Sequence, residues 1–500
     1  MAVNDSMYES RFTIPTPKGV WQAAGDTNIG TDYAYDAQNV RTERGLLASA
    51  YGTSRALPAI ADGEDAAPIE TLTRFYRRTR PEDADVFVAA AGGALYTYTM
   101  GTQGWVLRAD GFQSNKWSYV TYEAAENGET VDILIMSNEQ DGMVAVYGSD
   151  LRVEKKTLTI GDAYADVKFA VLGRYAERIW GTGATGYPDS VFYSRPYDPF
   201  NWTSVAETPE LGGGVINQPT WDGDSFISLV TFGGYLIAGK RNTFFEIRGT
   251  DPQSFTITQA YGTDGPVQER TICTDKVSMF FLSQSGIGMY DGSTLRLLSR
   301  DALYETMRMR AESSLALATA CVCDHVYYLA LAVKDNPGDV IQENNVVVEY
   351  DTERGTFMLR RGVRVKDFYA LGGVVYYTDA LNPYEVYVYN DKSAGGYLDA
   401  PMECVWQTPW LDLGKEFMKR DFVLRFTADA DEDDTPIEWT IETNRREKTR
   451  VAMLQRARKD YRVKIQLSGT RVRLRLRSAA KPVLWRIYGG VQIDFSLDEV

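Results

Sequence analysis

Apolar residues along this chain fall in short runs. Each run closes on a Gly or Asp-Gly turn, and a second run follows that ends in aromatic residues. Two such runs joined by a tight turn predict a β-hairpin. The first unit covers 85–98 and closes near Trp105. Later units pair 131–137 with 142–147, 178–180 with 190–194, and 232–238 with 242–247. Three more pair 278–283 with 286–292, 325–330 with 345–351, and 371–377 with 385–389. The seven units recur roughly every 40–60 residues, in the range of propeller blades. One small sheet cannot bury both of its faces. Blades stacked radially bury them, and ring closure removes the long free edges. Residues 39–45 are a candidate for the strand that closes the last blade. Residues 300–309 predict a helix between blades, with Asp301 in its favourable first turn.

After about residue 400 the pattern changes. Residues 422–426, 437–441, 461–467, 471–477 and 484–488 alternate apolar and polar at period two, separated by polar turns. That predicts a β-sandwich. The expected fold is all-β, with an N-terminal arm (1–35), a propeller of about seven blades (36–398) and a sandwich (399–500).

Charge separates the same regions. Residues 401–500 hold 19 Lys and Arg against 16 Asp and Glu, net +3, whereas 1–400 hold 34 against 52, net −18. An acidic main region argues against a protein that grips nucleic acid through its phosphates. No stretch approaches the length of apolar chain that spans a bilayer, so no membrane insertion is expected. The first ten residues lack the basic start and apolar core of a signal peptide. Four cysteines are too few for a disulfide scaffold of this size and suit a reducing compartment.

Candidate chemistry is sparse. Residues 181–186 (Gly-Thr-Gly-Ala-Thr-Gly) fit a dinucleotide-binding pattern, but Tyr187-Pro188-Asp189 and a strand follow where a helix would have to begin. They read as a blade loop. Cys321, Cys323 and His325 fall on one face of an extended strand, about 6.6 Å apart for neighbours two residues away. That is too far for two sulfurs on one zinc, so the run reads as packed core. His325 is the only histidine, and it has no nucleophile elbow to serve. Asp429, Asp431 and Asp433 have calcium-loop spacing. Asp434 and Thr440, however, stand where that loop needs Gly and Glu, so the segment reads as a solvated hairpin tip. Arg471, Arg473, Arg475 and Arg477 alternate with Val472, Leu474 and Leu476. They make one face of a strand basic, a candidate contact to a neighbouring subunit. No catalytic residue, cofactor or metal is expected.

Several stretches together resemble a known family. They are 39–45 (Asn-Val-Arg-Thr-Glu-Arg-Gly), 174–180 (Arg-Tyr-Ala-Glu-Arg-Ile-Trp) and 188–202, which carries Ser-Arg-Pro-Tyr-Asp-Pro-Phe-Asn-Trp. The set continues with 224–229, 242–249 (Asn-Thr-Phe-Phe-Glu-Ile-Arg-Gly) and 285–292 (Ser-Gly-Ile-Gly-Met-Tyr-Asp-Gly). In this order they resemble the tail nozzle, or packaged-DNA stabilisation, proteins of short-tailed bacteriophages. The resemblance covers residues 36–300 well and the rest loosely. It implies a virion protein assembled in the host cytoplasm: a homo-hexameric ring below the portal and head-tail adaptor, in contact with tail fibre or needle proteins. DNA would pass through without sequence-specific binding, along a wall expected to be acidic or neutral. The arginine strand is then expected to point away from the passage. The competing reading is a carbohydrate-binding or depolymerising tail propeller, whose exposed Tyr and Trp would stack on sugars.

Overall fold

Each of the seven predicted hairpins forms the two middle strands of a four-stranded antiparallel blade; five blades are separate sheets, and the last two are parts of a nine-stranded and a six-stranded sheet. The computed structural model describes residues 10–23, 29–60, 67–83, 85–102, 104–126, 128–260, 264–398 and 400–497. Strands hold 53% of the chain and helices 6%, so the fold is all-β. Blade 1 comprises Ile69–Tyr76, Asp85–Ala91, Ala94–Thr99 and Val106–Ala109. Blades 2 to 5 repeat that order over residues 118–156, 171–217, 226–259 and 273–297, and blade 6 covers 319–361. Blade 7 takes three strands from 365–391. Its fourth is Gly52–Leu57, antiparallel to Val386–Asp391.

Seven apolar clusters among the described residues fill the seven blade–blade interfaces. Because both faces of a blade are covered, its middle strands read as unbroken apolar runs. In blade 2, Leu134 and Met136 pack towards blade 1, while Ile133 and Ile135 pack towards blade 3. The period-two alternation survives in direction and disappears in polarity.

The expected arm and domain boundary are corrected by the strand pairing. Ser10–Ile14 and Leu46–Ser49 both pair with Trp485–Leu497, one after the other along the same edge. Between them Gly489 and Gly490 adopt φ +72° and +83°, a left-handed kink that glycine takes without strain. A Cβ on Gly490 would lie 2.3 Å from the Ile14 carbonyl oxygen. Residues 39–45 therefore do not close the propeller. Val40–Glu43 and Leu46–Ser49 form a sandwich hairpin, and Gly52–Leu57 closes the ring. The sandwich needs this segment because residues 400–497 alone leave one edge of their longest strand bare.

Asp36–Gln38 lies parallel to the outer strand of blade 6 and antiparallel to Cys404–Gln407. It fuses blade 6 and one sandwich sheet into a nine-stranded sheet that ends at Glu447–Leu454. The predicted helix is present as Ser299–Ala302 and Tyr304–Arg308, interrupted at Leu303 and joining blade 5 to blade 6.

Candidate functional site

The first strands of the blades lie innermost, and those of blades 2 and 3, 3 and 4, 5 and 6, 6 and 7, and 7 and 1 lie against each other. At the face where one blade hands the chain to the next, these strands and their preceding loops enclose an axial cavity of about 520 Å³. Its walls differ. Blades 1, 2, 5 and 7 contribute Glu70, Lys116, Glu269, Arg270, Lys366 and Asp367. Blades 3 and 4, opposite blade 7 in the ring, contribute Leu172, Leu229 and Val230, and Ile272 extends the apolar side.

One ion pair fixes the polar wall. Arg270 Nη1 donates to Asp367 Oδ2, and Arg270 Nη2 donates to the Glu70 carbonyl at 3.2 Å. Thr319 Oγ1 donates to the other Asp367 oxygen at 2.6 Å, as does the Phe368 amide at 3.0 Å. Four blades are thereby tied around one nearly buried carboxylate. Lys366 Nζ donates to the Ile69 carbonyl at 3.3 Å. Among the described residues Glu70, Lys116, Glu269 and Lys366 form no ion pair. Glu269 is enclosed by protein yet open to the cavity. Burial pushes its carboxyl up to about 7, against the pull of Arg270. Burial likewise lowers the Lys366 ammonium. No residue of this wall stood out in the sequence, because it is assembled from segments some 300 residues apart.

The predicted arginine strand lies elsewhere, on the sandwich. Val472, Leu474 and Leu476 are fully buried, and the arginines face outward. The face is less basic than its sequence. Arg477 binds Glu403 at 2.6 Å and Glu438 at 3.2 Å. Arg473 lies 3.7 Å from Glu442 and stacks over Trp410 and Tyr35. Arg475 pairs across to Thr440 and Gln407. Arg471 is exposed just before the strand.

The cysteine–histidine run is corrected. It is a hairpin, in which Thr319–Cys323 turns through Asp324 and His325 into Val326–Leu331. Both turn residues have positive φ, +47° and +62°, the type I′ geometry that normally recruits Asn-Gly. His325 is therefore not core. Its side chain is 63% exposed, 3.8 Å from Glu353. Cys321 is buried between blades 6 and 7, and burial holds its thiol well above the usual range. Among the described residues no group of three or more His, Cys, Asp or Glu is arranged to hold a metal. Residues 183–189 link the second and third strands of blade 3. Asp429 and Asp431 accept from Arg486 at 3.0 and 2.8 Å at the hairpin end of the sandwich.

The fold thus defines a seven-bladed β-propeller with a β-sandwich built from segments near both ends of the chain. No family model and no curated protein matches it. Similar solved structures are remote. YCF48 from Cyanidioschyzon merolae is 11% identical, with 68% of this chain and 98% of that one covered at a TM-score of 0.38. The extracellular domain of the putative one-component system BT4673 from B. thetaiotaomicron is 11% identical, covering 78% and 60% at 0.30. An exo-β-1,3-galactanase from Phanerochaete chrysosporium is 9% identical, covering 76% and 97% at 0.25. At these scores none carries a functional argument.

Proposed function

We propose that the chain is a non-enzymatic structural subunit of a short phage tail. It forms a closed homo-hexameric ring that extends the DNA channel below portal and adaptor and retains packaged DNA until ejection. The observation that supports this reading is what the motif residues do. Asn39, Arg178, Trp180 and Trp202 are each at most 2% exposed; the indoles donate to nearby carbonyls of their own motifs, Tyr175 and Pro199, and Asn39 and Arg178 bind backbone of other segments. Asn39 Nδ2 donates to the carbonyls of Arg361 (2.9 Å) and Glu403 (2.7 Å), and its Oδ1 accepts from the Arg361 amide and the Tyr397 hydroxyl. It sits where blade 6, blade 7 and the sandwich meet. Arg178 donates to the carbonyls of Ser194, Gly212 and Glu210 at 2.6–2.7 Å, bracing the long loop of blade 3. These residues build a scaffold, and a scaffold braced in this way suits a mechanical role.

The acidic 1–400 region would repel a passing duplex weakly, over a screening length of about 8–10 Å. Arg471, Arg473, Arg475 and Arg477 would contact a neighbouring subunit, away from the passage. Sedimentation analysis and electron microscopy of the purified chain test the reading. Closed rings at a multiple of 56.0 kDa are expected. A 56.0 kDa species that persists at every concentration and on added adaptor would overturn it.

One observation favours carbohydrate recognition as a second reading. Trp221 is 98% exposed on a loop pinned by Asn242 to Asp222 and Asp224, both at 3.0 Å. Glycan binding lost in Trp221→Ala, with the fold intact, would support it.

A further inference from the structure

We infer that the axial cavity binds a small zwitterion with an aliphatic side chain, a free amino acid or short peptide. This inference is independent of the ring reading, because the site lies wholly within one chain.

The cavity's charges specify the occupant. Three acids and three bases line it, and Arg270 with Asp367 neutralise each other and are held by Thr319 and backbone. Glu70 and Glu269 remain as acids, and Lys116 and Lys366 as bases, that form no ion pair among the described residues, although Glu70 attracts Lys366 and Arg270 attracts Glu269. Lys116 is exposed, whereas Glu70, Glu269 and Lys366 are half-buried, and half-buried charges without close partners are costly. A phosphate or other plain anion would meet Glu70 and Glu269. A plain cation would meet Lys116 and Lys366. A neutral sugar would answer these ionisable groups with hydroxyls only and would set a polar ring against Leu172, Leu229 and Ile272. A zwitterion satisfies both signs at once: its ammonium faces Glu269 or Glu70, and its carboxylate faces Lys116 or Lys366. Its aliphatic group then lies on the wall opposite blade 7. A cavity of about 520 Å³ falls within the span of small-molecule sites, about 300–1,000 Å³. The Arg270–Asp367 pair holds the polar wall in place before any ligand arrives, which lowers the ordering cost of binding.

Calorimetric titration of the full chain with leucine and leucyl-leucine tests the proposal. Saturable binding of at least one is expected. N-acetyl-leucinamide keeps the shape and lacks both charges, and should bind at least about tenfold more weakly; so should glycine, which lacks the aliphatic group. Glu269→Gln should cost a similar factor while leaving the unfolding midpoint at pH 4 nearly unchanged. Three results would overturn the proposal: no saturable heat from either zwitterion at millimolar concentration, equal binding of N-acetyl-leucinamide, or preference for glucose or inorganic phosphate.

Discussion

Glu269 makes the fold pH-sensitive in a direction that can be measured. Its carboxyl titrates near 4.5 when unfolded and is pushed up to about 7 in the cavity, chiefly by burial. The folded state therefore holds this proton more tightly than the unfolded chain does. The residue's contribution is most favourable below pH 4.5, declines as pH rises, and is fully lost above about pH 7. Each tenfold gain in proton affinity is worth about 1.4 kcal/mol, so the loss comes to about 3 kcal/mol. Glu269→Gln keeps the side chain's shape and removes the titration. Urea midpoints of both proteins, measured from pH 4 to pH 8, isolate the effect, since other titrating groups cancel in the difference. At pH 4 the two should be nearly equally stable. By pH 8 the amide variant should be ahead by about 3 kcal/mol, with most of the change between pH 4.5 and 7. A difference that stays flat across this range, or that grows towards acid, would refute the placement of Glu269 in a desolvated site.

Trp180→Ala should destabilise by about 3–5 kcal/mol. The indole is fully buried among Tyr193 and Phe255, both with ring centroids at 5.0 Å, and an unchanged thermal midpoint would contradict that. Asn39→Ala strands the Arg361 amide and other buried groups at the propeller–sandwich junction. A loss of at least about 2 kcal/mol is expected by chemical denaturation. His325→Gly should stabilise by about 1 kcal/mol, since glycine takes the +62° conformation freely; calorimetry would show it as a raised Tm. Arg477→Ala should change the stability of the isolated chain by less than about 1 kcal/mol, because its partners are half-exposed. Any large effect should appear in assembly, read by sedimentation.

Much of the propeller is visible in the sequence because its middle strands are buried twice. Residues 131–138 are apolar on both faces of the pleat except Asp132, Ser137 and Asn138. The outer strands are half-exposed and short, as in Val153–Lys156 and Thr256–Gln259, and carry no clear period. The role of residues 10–49 was hidden for another reason. Apart from the local 40–49 hairpin, their strand partners lie more than 300 residues away, and pairing at that distance leaves no local signature. The Asp324–His325 turn lacks glycine, so a hairpin read as a single strand. The cavity was illegible because Glu70, Lys116, Glu269 and Lys366 are ordinary surface residues until the ring brings them together.

The shared sheets impose an order of events during synthesis. Ser54 donates to Asp391, 337 residues later in the chain, so the strand that closes blade 7 leaves the ribosome long before its partner exists. At about 5–20 residues per second that wait is roughly 20–70 s. Ser10–Ile14 waits longer still, for Trp485–Leu497. Blades 1 to 6 can stack as they emerge, but the ring stays open and one edge stays unpaired until the last strand arrives. A ribosome stalled near residue 400 would hold a nearly complete propeller whose N-terminal strands have no sandwich to join, a species prone to pairing with its neighbours on the same message.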